Sequence, residues 1–193
     1  TLITASFMLL STKLQDIVGK KKLFLIGAVI YGVGTLTAAL SSSVLMLFAG
    51  WAVLEGLGGA LMTPTAVSII SGTYHGDKRT FALAIESALV AIAAAIGPLF
   101  GGVVTTYFTW RLGFAVEFII VLVVLGLSGK IPYFEATGSR SELDFTGAII
   151  SFVGLVLFVL GILMLTDDTT FSIAAMVGGL IVLAVCEIAV ANI

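Results

Sequence analysis

Apolar runs alternate with short charged clusters along the whole chain. Residues 1–12 are uncharged and mostly apolar. They are followed by Lys13, Asp16 and the triplet Lys20, Lys21 and Lys22. The chain then stays uncharged from Leu23 to Leu54, more than one bilayer crossing needs, since a helix spans the hydrocarbon with roughly 20 residues. Ser41, Ser42 and Ser43 divide that run, which predicts one span near 23–40 and another near 44–70. Further runs predict spans at 81–105, 110–128, 145–165 and 171–191. The runs are continuously apolar rather than alternating, so they predict helices and not the strands of a membrane barrel. The predicted fold is all-α, a polytopic membrane bundle of about seven helices, six complete and one partial. Because the first apolar stretch is too short to span, the chain is expected to start inside a span and to be a piece of a longer membrane protein.

Composition strengthens this reading. Sixty percent of the 193 residues are hydrophobic and 10% are charged, and mean hydropathy is +1.23. Soluble domains carry about 25% charged residues, so a soluble enzyme and a disordered chain are both excluded. The net charge of −2 provides no electrostatic footprint for nucleic acid. The lone cysteine, Cys186, has no second cysteine to pair with. With one histidine, His75, the chain lacks the ligands of a typical zinc site. No phosphate-binding G-x-x-x-x-G-K-[ST] loop appears, and no metal, cofactor or catalytic residue is assigned.

The placement of charge orients the helices. If the helices alternate, Lys13, Lys20, Lys21, Lys22, Lys78, Arg79, Lys130 and Arg140 fall on one side, and Arg111 alone on the other. Cytoplasmic loops are rich in Lys and Arg, so loops 13–22, 73–80 and 129–144 are expected in the cytoplasm of a multi-pass cell-membrane protein. The chain divides into a bundle at 1–128, a cytoplasmic linker at 129–144 and two additional helices at 145–193. Small residues mark helix contacts, because lipid supplies no hydrophobic drive between helices. Ala93, Gly97 and Gly101 form one ladder, and Gly147, Gly154 and Gly161 another. Pro64 and Pro98 fall inside spans, where proline removes a backbone donor.

Four carboxylates interrupt the spans: Glu55, Glu86, Glu117 and Glu187. An ionised carboxylate in hydrocarbon is costly, so such groups turn to the bundle interior or to a cavity. Each is a proton carrier, a neutral, hydrogen-bonded packing group, or a side chain that snorkels toward an interface. Glu55 falls near the middle of its span, Glu86 nearer the inner face and Glu117 nearer the outer.

Two motifs carry a family resemblance. Leu14-x-Asp16-x-x-Gly19-Lys20-Lys21 resembles the loop signature G-x-L-x-D-x-x-G-R-K of the major facilitator superfamily, with Thr12 at the position of the first glycine. Gly97-Pro98-x-x-Gly101-Gly102 resembles the G-P-x-x-G-G signature of that superfamily's drug:proton antiporters, with Ala93 replacing the glycine that opens the pattern. Trp110-Arg111 with Phe114, and Leu143-Asp144-x-x-Gly147, resemble the starts of the sixth and seventh helices of the fourteen-span branch. The resemblance implies the amino-terminal half of such an antiporter, without its first helix and without its carboxy-terminal half. It implies a cytoplasmic gate at Leu14, Asp16, Gly19, Lys20 and Lys21 and an antiporter helix at Gly97, Pro98, Gly101 and Gly102. The implied partners are the bilayer, protons and small amphipathic substrates. The sequence departs from the family where an arginine linked to proton coupling is expected on the fourth helix. Ala52 stands there, and Glu55 takes the place of a glutamine. Glu55, helped by Glu86 or Glu117, is the expected substitute for that arginine. The alternatives are a metabolite transporter without proton coupling, or a non-transporting membrane remnant or binding protein.

Overall fold

The computed structural model describes residues 2–136, 138, 145–163 and 169–191. Arg140, Leu143 and Asp144 lie outside the described residues, as do the side chains of Cys186 and Glu187. The described residues form seven helices and no strand. These are α1 (Leu2–Val18), α2 (Lys20–Ala39), α3 (Val44–Thr73), α4 (Asp77–Tyr107), α5 (Trp110–Gly126), α6 (Phe145–Leu163) and α7 (Thr169–Ala191). A short 3-10 turn, Leu127–Lys130, extends α5. Among the described residues, Lys20–Ala39, Val44–Thr73, Asp77–Tyr107 and Trp110–Lys130 are long and apolar enough to cross a membrane. Within α6 and α7 the qualifying apolar runs are shorter, Phe152–Ile162 and Ser172–Ala184.

Local chemistry sets the boundaries. Gly19 breaks α1 from α2 with φ of 91°, a region that side chains with a Cβ rarely adopt. Ser43 caps α3, its hydroxyl accepting from the Met46 N–H at 3.2 Å. The serine triplet therefore stops one helix and starts the next, as its position in the apolar run predicts. Pro64 and Pro98 both sit inside continuous helices.

The core is built on α2, which lies between α3 and α5. Small residues along α2 bring α3 close. A Cβ on Gly34 would stand 2.6 Å from the Glu55 backbone N, and one on Gly58 would stand 2.5 Å from the Tyr31 N. Gly32 faces Val121 of α5, where a Cβ would meet its side chain at 3.1 Å. The seven-residue glycine ladder of α6 partly faces α7: Gly154 abuts Leu183, and Gly161 abuts Met176 and the Ser172 carbonyl. The ladder on α4 is different. Gly97, Gly101 and Gly102 have nothing within 4 Å of a built Cβ, and nearly all of α4 is exposed.

One feature of α3 has no counterpart in the sequence reading. Residues Phe48–Glu55 form a π-helix within the longer α-helix. The wider turn inserts an extra residue per loop of hydrogen bonds, and such segments are frequent at functional sites. Gly50 lies inside it and packs on α2, where a Cβ would be 2.8 Å from the Ala38 N.

Candidate functional site

The π-helical segment ends at Glu55, and that end faces α2 and α5. Glu55 meets Tyr31 of α2, and Tyr31 meets Glu117 of α5. The Tyr31 hydroxyl donates to Glu117 Oε1. It also lies 3.4 Å from Glu55 Oε1, at the long end of hydrogen-bonding distance. The second oxygen of Glu55, Oε2, is buried and has no hydrogen-bond partner. All three side chains are partly buried. This arrangement depends on the small residues already described. Gly34 lets the α3 backbone reach α2 beside Glu55, and Gly58 does the same one turn further on, beside Tyr31. Val121 packing on Gly32 holds α5, and thus Glu117, on the other side.

A cavity of about 350 Å³ borders the pair on one side, lined by Tyr31, Glu117, Met62, Thr63 and Val124 among others. Trp51 lies one turn before Glu55, and Phe114 lies three residues before Glu117. Their rings meet edge to face with centroids 5.9 Å apart. Phe114 is in turn edge to face with Trp110 at 6.0 Å. Tyr31 and Glu117 thus border a mostly apolar cavity, and an aromatic contact joins the helices that carry Glu55 and Glu117.

The structure brings together two of the expected carboxylates, Glu55 and Glu117. Glu86 lies on α4 and takes no part in these hydrogen bonds. Ala52, at the position of the family arginine, is partly buried and has no polar side chain to offer. Arg111 is the nearest basic residue to Glu117 in sequence, but its Nη2 donates to the Ser41 carbonyl at 2.7 Å and its guanidinium stacks on Trp110 at 4.7 Å. The sequence reading did not single out Tyr31. A usable signal existed: Tyr31 is the only tyrosine in the long uncharged run, set between glycines that mark a close helix approach.

The loop signature Leu14-x-Asp16-x-x-Gly19-Lys20-Lys21 forms a second cluster, at the lysine-rich end of the bundle. The chain after α5 folds back onto it. Gly138 donates its N–H to the Asp16 carbonyl at 2.9 Å, and Lys21 Nζ donates to the Ile131 carbonyl at 2.8 Å. Lys20 stands over the Phe134 ring at 5.2 Å, and Gly19 leaves room for the Phe134 carbonyl. Leu14 is partly buried beside them. The G-P-x-x-G-G stretch, by contrast, presents Gly97, Gly101 and Gly102 to open space. Among the described residues, no group of three His, Cys, Asp or Glu side chains is placed to hold a metal ion.

Long apolar helices, small-residue contacts and carboxylates paired inside the bundle define a polytopic helical membrane protein. The profile of the Major Facilitator Superfamily matches residues 1–145. The chain belongs to that family of transporters. It is 34% identical over 166 residues to the cephamycin export protein of Amycolatopsis lactamdurans, covering 84% of this chain and 34% of that protein. It is 31% identical over 160 residues to the methyl viologen resistance protein of Salmonella typhimurium, covering 82% and 32%. A lincomycin resistance protein of Streptomyces lincolnensis is 26% identical over 195 residues, covering 98% and 39%. The chain thus spans 32–39% of the length of these relatives.

Proposed function

We propose that this chain is part of a proton-coupled exporter of drugs or other amphipathic compounds in the cell membrane. The observation that carries the reading is the convergence of Glu55 and Glu117 on Tyr31 inside the bundle. Carboxylates at this depth are costly unless they exchange a proton or bind charge. Coupling requires one group that binds a proton in one half of the cycle and gives it up in the other. Glu55 and Glu117 supply that group in a chain where Ala52 replaces the family's coupling arginine. The relatives named for cephamycin export and for methyl viologen and lincomycin resistance favour export as the direction and small organic compounds as the cargo.

In this reading the Asp16 cluster is the cytoplasmic gate, and residues 13–22 (largely helical around the break at Gly19), 73–80 and 129–144 face the cytoplasm. In the full-length transporter, Gly97, Pro98, Gly101 and Gly102 form a close-approach surface for the carboxy-terminal half. The two halves of such a transporter rock about a site near the midplane. Residues 1–128 form the transporter bundle, 129–144 the linker and 145–193 the two added helices. Glu86 is left as an auxiliary acid.

The deciding experiment uses the full-length protein in proteoliposomes with an imposed proton gradient and ethidium as the probe compound. Proton-driven ethidium export is expected. It should be abolished by a protonophore and reduced at least tenfold by Glu55→Gln, which fixes the site in a neutral form. Export that ignores both the protonophore and Glu55→Gln would favour uncoupled transport, a reading that Ala52 also motivates.

A further inference from the structure

We propose that Glu55, Tyr31 and Glu117 form one shared proton-binding site, in which Tyr31 couples the two carboxyls so that they bind and release a single proton as a unit. This deepens the proton-coupled reading and rests on it. Three observations support it. A phenol has one O–H to give, and Tyr31 faces two carboxylate oxygens, donating to Glu117 Oε1 and lying 3.4 Å from Glu55 Oε1. It can serve one of them fully at a time. Second, Glu55 Oε2 is buried without a donor. An ionised carboxylate would leave that oxygen charged and unpaired, which is far more costly than a neutral acid in the same place. Third, both carboxyls lie against the same phenol oxygen, and like charges that close in a poorly solvated site resist ionising together.

The resting state that satisfies all three has the proton on Glu55 and the negative charge on Glu117, steadied by the Tyr31 hydroxyl. On release, the Glu55 O–H bond breaks, the proton passes to water, and the electron pair stays on the carboxylate. The pair then carries two negative charges against one phenol proton, and uptake of a proton from water reverses the step. Tyr31 keeps its own proton throughout and acts as a positioning residue. Few other charges intervene. From α1, Thr4 approaches this level and donates to the Gly56 carbonyl at 3.1 Å, while Lys13 and Asp16 sit at the other end of that helix. From α3, Met62 and Thr63 line the adjoining cavity. On α5, Arg111 is engaged with Ser41 and Trp110.

Infrared difference spectroscopy of the full-length protein in lipid, titrated over pH, tests this without a ligand. The readout is the C=O stretch of buried protonated carboxyls. A shared site gives a band worth about one carboxyl in the wild type, and Glu55→Gln and Glu117→Gln each still give about one, because the remaining acid takes the proton alone. Tyr31→Phe keeps the ring and lets a second carboxyl take up a proton in the titrated range, so the band grows toward two, because the charged Glu117 loses its charge-assisted donor. Independent sites would instead lose half the band in each Gln variant, and that result overturns the proposal. So does a Tyr31→Phe titration that superimposes on the wild type. The Gln variants carry the test if Tyr31→Phe does not fold. Additive bands together with proton-driven ethidium export would sink the shared site and leave the export reading standing. A shared band with export indifferent to a protonophore would do the opposite.

Discussion

At the scale of single residues, glycine has opposite meanings in different helices of this chain. A Cβ at Gly58 would sit 2.5 Å from the Tyr31 backbone, and one at Gly34 would sit 2.6 Å from that of Glu55. Alanine is favoured over glycine inside a helix by about 1 kcal/mol, but backbone cannot yield as a flexible side chain can. Gly58→Ala should therefore destabilise the protein by about 1–3 kcal/mol through overpacking, read as a lower melting temperature in detergent. It should also disturb the Tyr31 contact with Glu117. Gly102→Ala meets nothing within 4 Å. It should leave the stability of this chain unchanged or raise it by up to about 1 kcal/mol. If the same change in the full-length protein slows export severalfold without lowering its melting temperature, then another helix approaches that face in the whole transporter. A full-length Gly102→Ala that transports normally would count against the close-approach surface proposed there.

At the scale of elements, the interesting unit is α3. Its start is a serine cap, and a π-helical segment follows within its first half. Replacing Ser43 with Ala removes the bond to the Met46 N–H. That should cost about 1 kcal/mol and is measured by the same thermal unfolding, with the spectroscopic carboxyl band unchanged. The helix contact at the opposite side of the site depends on Arg111, which donates to the carbonyl of Ser41 beyond the end of α2. Arg111→Lys keeps the charge but loses the planar stack on Trp110. A modest loss of stability is expected, smaller than that of Arg111→Ala; equal losses would show that the charge contributes little.

The serine triplet was legible as a boundary, since it is a local signal that needs no partner. The π-helical turn was not. No residue type marks it, and it forms where Gly34 and Gly50 allow α2 and α3 to interlock. Glu55 and Glu117 stood out as charges in apolar runs. Their meeting through Tyr31 did not, because residues 24 and 86 positions apart come together only through helix packing.

At the scale of the whole molecule, charge asymmetry and packing give separate accounts of orientation. The α1–α2 junction and the chain after α5 lie together, joined by Lys21 to Ile131 and Gly138 to Asp16, while Arg111 and Ser41 meet at the far ends of their helices. Single cysteines placed at His75 and at Ser42, in a full-length protein with Cys186 replaced by Ser, should react with an impermeant thiol reagent from opposite sides. His75→Cys should react only in inside-out vesicles and Ser42→Cys only in right-side-out ones. Both reacting from one side would overturn the proposed topology.

The apolar runs by themselves determined that the chain is a helical membrane bundle, how many helices the described residues form and about where each begins and ends. That follows because in hydrocarbon every backbone group must be satisfied within its own segment, so length and hydropathy suffice. Family motifs, carried in short contiguous stretches, were equally readable. The tertiary structure decided which buried acids share a partner, which glycines bear on a neighbouring backbone and which face open space. Those outcomes depend on the rotation and separation of whole helices, which are set by interlocking surfaces rather than by any one segment's hydropathy.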